Sequence, residues 1–79
     1  MKKYNKIVGM DLGDNLSRYA VLVGNKEEPD IESHVGTTRE AMTKIFSKMK
    51  PALVVIEVGT HSPWVSRLVT ELGHESVVA

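Results

Sequence analysis

The chain contains no cysteine, which excludes disulfide bonds and thiolate-held metals and leaves the redox compartment open. It has no surplus of either charge, since 10 Lys and Arg stand against 10 Asp and Glu. A domain that binds nucleic acid unaided normally carries a basic excess, so that class is disfavoured. Long hydrophobic runs are missing too. The basic start Met1-Lys2-Lys3-Tyr4-Asn5-Lys6 leads into an apolar stretch that Asp11 interrupts, so neither a signal peptide nor a membrane span is expected. The expected location is therefore cytoplasmic, with no membrane partner. Asn15-Leu16-Ser17 matches a glycosylation acceptor pattern, but with no secretion signal it carries no weight. There is no linker, low-complexity segment or internal repeat. What remains is the ordinary composition of one small globular domain, 79 residues with 42% hydrophobic and 25% charged. A chain of this size buries only about 60% of its unfolded surface, so its core is modest.

Two stretches organise the sequence. Lys6-Ile7-Val8-Gly9-Met10-Asp11-Leu12-Gly13 and Leu53-Val54-Val55-Ile56-Glu57-Val58-Gly59 are short apolar runs, each ending on an acid and then a glycine. Such runs suit strands buried on both faces, as in parallel sheets with helices packed on them. Alternation places Asp11 on one face with Ile7 and Gly9, and Glu57 on one face with Leu53 and Val55. An acid that closes a buried strand sits at the sheet's rim, where open α/β sheets bind ligands.

In chain order, strands are expected over about 6–12, 18–23, 31–35, 52–57 and 75–79, and helices over about 38–49 and 63–72. Gly13-Asp14-Asn15 has turn chemistry and predicts an antiparallel hairpin. Gly24-Asn25-Lys26-Glu27-Glu28-Pro29-Asp30 is a polar turn. The polar strand Ile31-Glu32-Ser33-His34-Val35 suits a sheet edge. Thr37-Thr38-Arg39-Glu40 predicts a capping box with Thr37 at the N-cap, opening a helix whose apolar stripe is Ala41, Met42, Ile45, Phe46 and Met49. Pro51 ends it. Ser62-Pro63 predicts the second start, serine as cap and proline at the first helical position. Val65, Leu68, Val69 and Leu72 give the buried stripe, and Gly73 the stop. The order is β-β-β-α-β-α-β in one α/β domain, residues 1–79. A right-handed crossover that returns the fourth strand beside the first gives a mixed sheet in the order 3-2-1-4-5.

That order brings Asp11 and Glu57 to the same end of neighbouring strands. Two carboxylates so held repel unless a cation lies between them. Hard oxygen donors at such a rim suit Mg2+ or Mn2+, the shell being completed by water and substrate phosphate. Paired ions about 3.5–4 Å apart stabilise both the attacking and the leaving oxygen of a phosphodiester displacement. Strand-end acids standing in water are an equally open reading of the spacing.

Asp11 in Val8-Gly9-Met10-Asp11-Leu12-Gly13, then Arg18-Tyr19-Ala20-Val21-Leu22, Thr37-Thr38-Arg39-Glu40-Ala41, and above all Pro51-Ala52-Leu53-Val54-Val55-Ile56-Glu57-Val58-Gly59-Thr60-His61-Ser62-Pro63-Trp64 follow one pattern across essentially the whole chain. The chain resembles the amino-terminal domain of DEDD-type insertion-sequence transposases, the Piv-like recombinases guided by a bridge RNA. The resemblance implies a RuvC-like, ribonuclease-H-like fold, DNA strand cleavage and exchange, and divalent metal held by four acids. Asp11 matches the first acid and Glu57 the second. The two later acids, and a separate carboxy-terminal domain with a catalytic serine, would lie beyond Ala79. The expectation is thus an amino-terminal fragment, its sheet truncated at the carboxyl end, inactive alone. Through the intact protein its partners are expected to be DNA and a guide RNA.

Other residues have plainer readings. His61 is placed to touch a phosphate or to orient a ligand, yet a loop histidine tied to local backbone is the commoner case. Trp64 suits base stacking, yet at the first turn of an amphipathic helix it more often packs on the sheet. Ser62 is explained as a cap, although the amides at that helix start suit a phosphate. His34 and His74 are too far apart for a local zinc motif and receive no role. Lys44, Lys48 and Lys50 read as a solvated helix face, and Asp14 as a turn residue beside Asp11. Two rival functions stand beside the recombinase. One is the phosphate-binding half of an actin-like ATPase or sugar kinase, although Gly13-Asp14-Asn15-Leu16-Ser17 is poor in the small and hydroxyl residues of such loops. The other is a non-catalytic module, in which an incomplete sheet leaves apolar surface and an edge uncovered and favours self-association into a homo-oligomer.

Overall fold

The computed structural model describes residues 4–24 and 29–79. The basic residues 1–3 and the middle of the polar turn, residues 25–28, lie outside them. The strands are β1 (Lys6–Asp11), β2 (Leu16–Val23), β3 (Ile31–Gly36), β4 (Leu53–Ile56) and β5 (Glu75–Val78). The helices are α1 (Arg39–Phe46), between β3 and β4, and α2 (Ser62–Glu71), between β4 and β5. The five strands form one mixed sheet in the order β3-β2-β1-β4-β5, as expected. β1 is antiparallel to β2 and parallel to β4, and β5 is parallel to β4.

Alternation along the strands sorts the core. Val8 and Met10 of β1, Val21 of β2, Val35 of β3 and Val54 and Ile56 of β4 are buried. They share one cluster with Met42 and Phe46 of α1 and with Val65, Leu68 and Val69 of α2. Both helices therefore cover the same face of the sheet. The apolar runs predict burial on both faces, and here the structure differs. Ile7, Leu22, Leu53 and Val55, on the opposite face by register, are only half-buried. Two right-handed crossovers that progress in the same direction along a sheet stay on one side of it, and among the described residues two helices are all there is to cover five strands.

Both helix starts fall one residue from their expected place. Thr38, in extended conformation, caps α1, and its hydroxyl accepts from the Ala41 amide at 3.1 Å. Thr37 cannot cap. Its side chain is buried in a 2.7 Å hydrogen bond with Ser17, and its amide donates to the Asn15 carbonyl. Glu40 consequently sits one position too early to close a capping box, though an acid in the first turn still complements the helix dipole. The helix ends at Phe46 rather than Met49 because the following turn tightens, with the Met49 amide donating to the Phe46 carbonyl. Met49 keeps its place against the core.

In α2 the capping position is His61, with no side-chain cap bond, and proline occupies the second helical position. Ser62 is not a cap. Its buried hydroxyl donates to the Gly59 carbonyl at 2.8 Å and accepts from the Gly59 amide at 3.2 Å, which ties down the turn after β4. Gly73 ends the helix as its sequence suggests. At φ 96° it lets the His74 amide reach the Val69 carbonyl and its own amide reach that of Thr70, a Schellman motif. His74, to which the sequence gives no role, is a buried strut. Its Nδ1 accepts from the Ala52 amide, and its Nε2–H donates to the Phe46 carbonyl at 2.8 Å. The imidazole thereby joins the end of α1 to the entrances of β4 and β5.

Candidate metal centre at the carboxyl ends of β1 and β4

Asp11 is the last residue of β1, and Glu57 follows the last residue of β4. The parallel register pairs Met10 with Ile56, and the Glu57 amide donates to the Met10 carbonyl at 3.2 Å. One step further along each strand, Asp11 and Glu57 stand side by side on strands that run about 4.8 Å apart. Both are exposed, and both line a cleft of about 250 Å³ whose walls are the 11–14 turn and the 57–61 loop. Among the described residues, neither forms an ion pair.

The two walls are braced. At Gly13 a Cβ would lie 2.4 Å from the Leu16 carbonyl oxygen, so only glycine lets the turn after Asp11 close this tightly. The Gly13 amide donates to the Ser17 hydroxyl at 3.3 Å, which links that turn to the buried Ser17–Thr37 pair. On the other wall the Trp64 indole N–H donates to His61 Nδ1 at 3.0 Å. That leaves the proton on Nε2, which donates to the Asp14 carboxylate at 3.2 Å. The chain Trp64–His61–Asp14 thus joins α2 to the β1–β2 turn, and His61 and Asp14 both line the cleft. With the Asp14 side chain 91% exposed, the bond orients His61 but adds little stability.

His61 therefore does line the cleft with the two acids, and Asp14 joins them from the turn. Trp64 is half-buried against the core, with its N–H committed to His61, as the packing reading of it expects. No protein-family model matches this chain, and no curated protein matches it either.

Whether the donors suit a divalent ion follows from their chemistry. Two exposed carboxylates held in register are hard oxygen ligands, the type Mg2+ and Mn2+ take in small number beside water and phosphate. Among the described residues no group of three or more His, Asp or Glu is arranged to hold a metal. Sequence reasoning found Asp11 and Glu57 through strand periodicity. It missed the His61–Asp14 brace, whose partners stand 47 residues apart.

Proposed function

We propose that this domain is the amino-terminal, RuvC-like (ribonuclease-H-like) part of a metal-dependent DNA transposase of the DEDD type. In this reading Asp11 and Glu57 hold Mg2+ or Mn2+ for strand cleavage and exchange, and DNA and a guide RNA are partners of the intact protein. The observation that carries the reading is the placement of Asp11 and Glu57 on adjacent parallel strands, side by side at their carboxyl ends. The sheet order, the position of both helices on one face, and the motif from Glu57 to Trp64 support it. A divalent ion at such a site activates water and neutralises charge on a phosphodiester. Asp11 and Glu57 supply the oxygen donors, the Gly13 turn and the Ser62–Gly59 bonds fix the two walls, and His61 is oriented at the mouth. Thr60 and His61 bring the positive end of α2 to the same cleft, where it favours a phosphate. Two acids do not complete a four-acid site, so the residues in hand are expected to bind metal weakly and to cut nothing.

The test is an NMR titration of Mg2+ and Mn2+ into the domain, with Asp11→Asn as control. Expected are shifts confined to the 11–14 turn and the 57–61 loop, saturating in the millimolar range and lost in the variant. Unchanged spectra, or the same response from the variant, would remove the metal reading for these residues.

A further inference from the structure

β3 is the first strand of the sheet, with β2 on one side and, among the described residues, no strand on the other. Its backbone faces outward in a definite pattern. The Thr37 amide donates to the Asn15 carbonyl, one pair beyond Leu16 and Gly36 in the register. In an antiparallel ladder, pairs that exchange both hydrogen bonds alternate with pairs that exchange none. Val35, Ser33 and Ile31 therefore turn their amides and carbonyls toward β2, and Glu32, His34 and Gly36 turn theirs away. The Gly36 carbonyl is taken by the Thr38 amide in the turn to α1. The open row is thus Glu32 and His34, both exposed, and such a row is a template for another strand. Their side chains stand on the sheet face away from the helices, where they line a trough of about 700 Å³ that also includes Gly9.

Charge on an edge strand normally keeps copies apart, because like meets like. The sequence of β3 is instead self-complementary. Two copies related by a two-fold axis pair antiparallel, and their outward rows can join only in registers centred on Glu32, Ser33 or His34. The first sets Glu32 against its own copy, and like charges directly opposite are destabilising. The last sets Glu32 against Gly36, whose carbonyl is already engaged. Centred on Ser33, Glu32 lies opposite His34 on both sides of the axis. Each such pair exchanges both of its backbone hydrogen bonds, and each carboxylate faces an imidazole that can donate to it. Arg18, beside His34 on β2, puts positive charge behind it. On the other face Ile31, 52% exposed, comes opposite Val35 as a close apolar pair. A foreign strand would need this same pattern, whereas a second copy carries it by symmetry.

We propose that β3 is a self-association edge: it pairs with β3 of a second copy of this chain, antiparallel about a two-fold axis at Ser33. Glu32 of each copy meets His34 of the other, and the two sheets become one. This inference does not depend on metal binding at the cleft.

The experiment uses the full 79-residue chain, followed by sedimentation and by amide hydrogen exchange. So small an interface belongs to the weak, transient class, with a dissociation constant of about 0.1–1 mM. Raising the protein from about 10 μM to about 1 mM is expected to slow exchange at the Glu32 and His34 amides about two- to fivefold. The Ser33 and Val35 amides, already bonded to β2, are expected to stay unchanged. His34→Glu sets carboxylate against carboxylate and is expected to remove the concentration dependence. Adding Glu32→Lys to that variant exchanges the two charges and is expected to restore it, which a merely unfolded variant would not do. The proposal is overturned if the chain sediments as a monomer at the highest concentration. It is equally overturned if copies associate while the Glu32 and His34 amides still exchange freely, since another surface then joins them, or if the exchanged pair fails to restore association.

Discussion

His74 shows how much one residue can hold that its sequence neighbourhood does not announce. It accepts from a backbone amide 22 residues away and donates to a carbonyl 28 residues away, and its ring meets Phe46 edge-on at 5.4 Å. Replacing it with leucine strands a buried N–H and a buried C=O together. Each unsatisfied group costs about 1–3 kcal/mol, so His74→Leu is expected to destabilise the domain by about 2–6 kcal/mol, read as a lower midpoint in urea with an unchanged slope. A loss below about 0.5 kcal/mol, the range of ordinary surface substitutions, would show that water or a backbone shift satisfies both groups. Asp11 and Glu57 were legible because strand alternation and the acid–glycine endings are local signals. His74 and the His61–Asp14 pair were not, because their partners become neighbours only once the sheet has formed.

At the scale of the element, the sequence predicts helix starts to within a residue and assigns the capping side chains wrongly in both. Two adjacent threonines are equivalent to local pattern. The choice between them is made by Ser17, which takes Thr37 into the sheet and leaves Thr38 to cap. The two therefore predict different failures. Thr38→Ala is expected to cost about 1 kcal/mol, as loss of a helix cap does, and to speed amide exchange in the first turn of α1. Thr37→Ala should leave that turn protected and instead loosen the Gly13 turn, because Ser17 loses its buried partner. Exchange rates measured residue by residue separate the two. If Thr37→Ala frays the helix and Thr38→Ala does not, the capping assignment is reversed. By contrast the stop at Gly73 was legible, since a glycine after the last apolar position is what a left-handed residue there requires.

For the whole molecule, element order and chirality were enough to give the sheet order, and uncovered apolar surface was foreseeable for so short a chain. Which face stays open, and that its floor is hollow, was not. A glycine inside an apolar run reads as a weak point in a strand, and only the sheet register shows that Gly9 stands opposite Ala20 in open space. This makes Gly9→Val a test of the architecture itself. Glycine in a strand interior carries an entropic penalty, and valine is a strong strand former, so the change is expected to stabilise the domain by about 0.5–1 kcal/mol. For a domain of this size that corresponds to a rise in Tm of several degrees, about 4–8 °C per kcal/mol. Thermal unfolding followed by circular dichroism at several protein concentrations measures it. A raised, concentration-independent Tm fits a face that is open in the isolated domain, with room above Gly9 for a side chain. A lowered Tm would mean that another surface already lies against Gly9 in solution, and that the one-sided sheet is not the folded state.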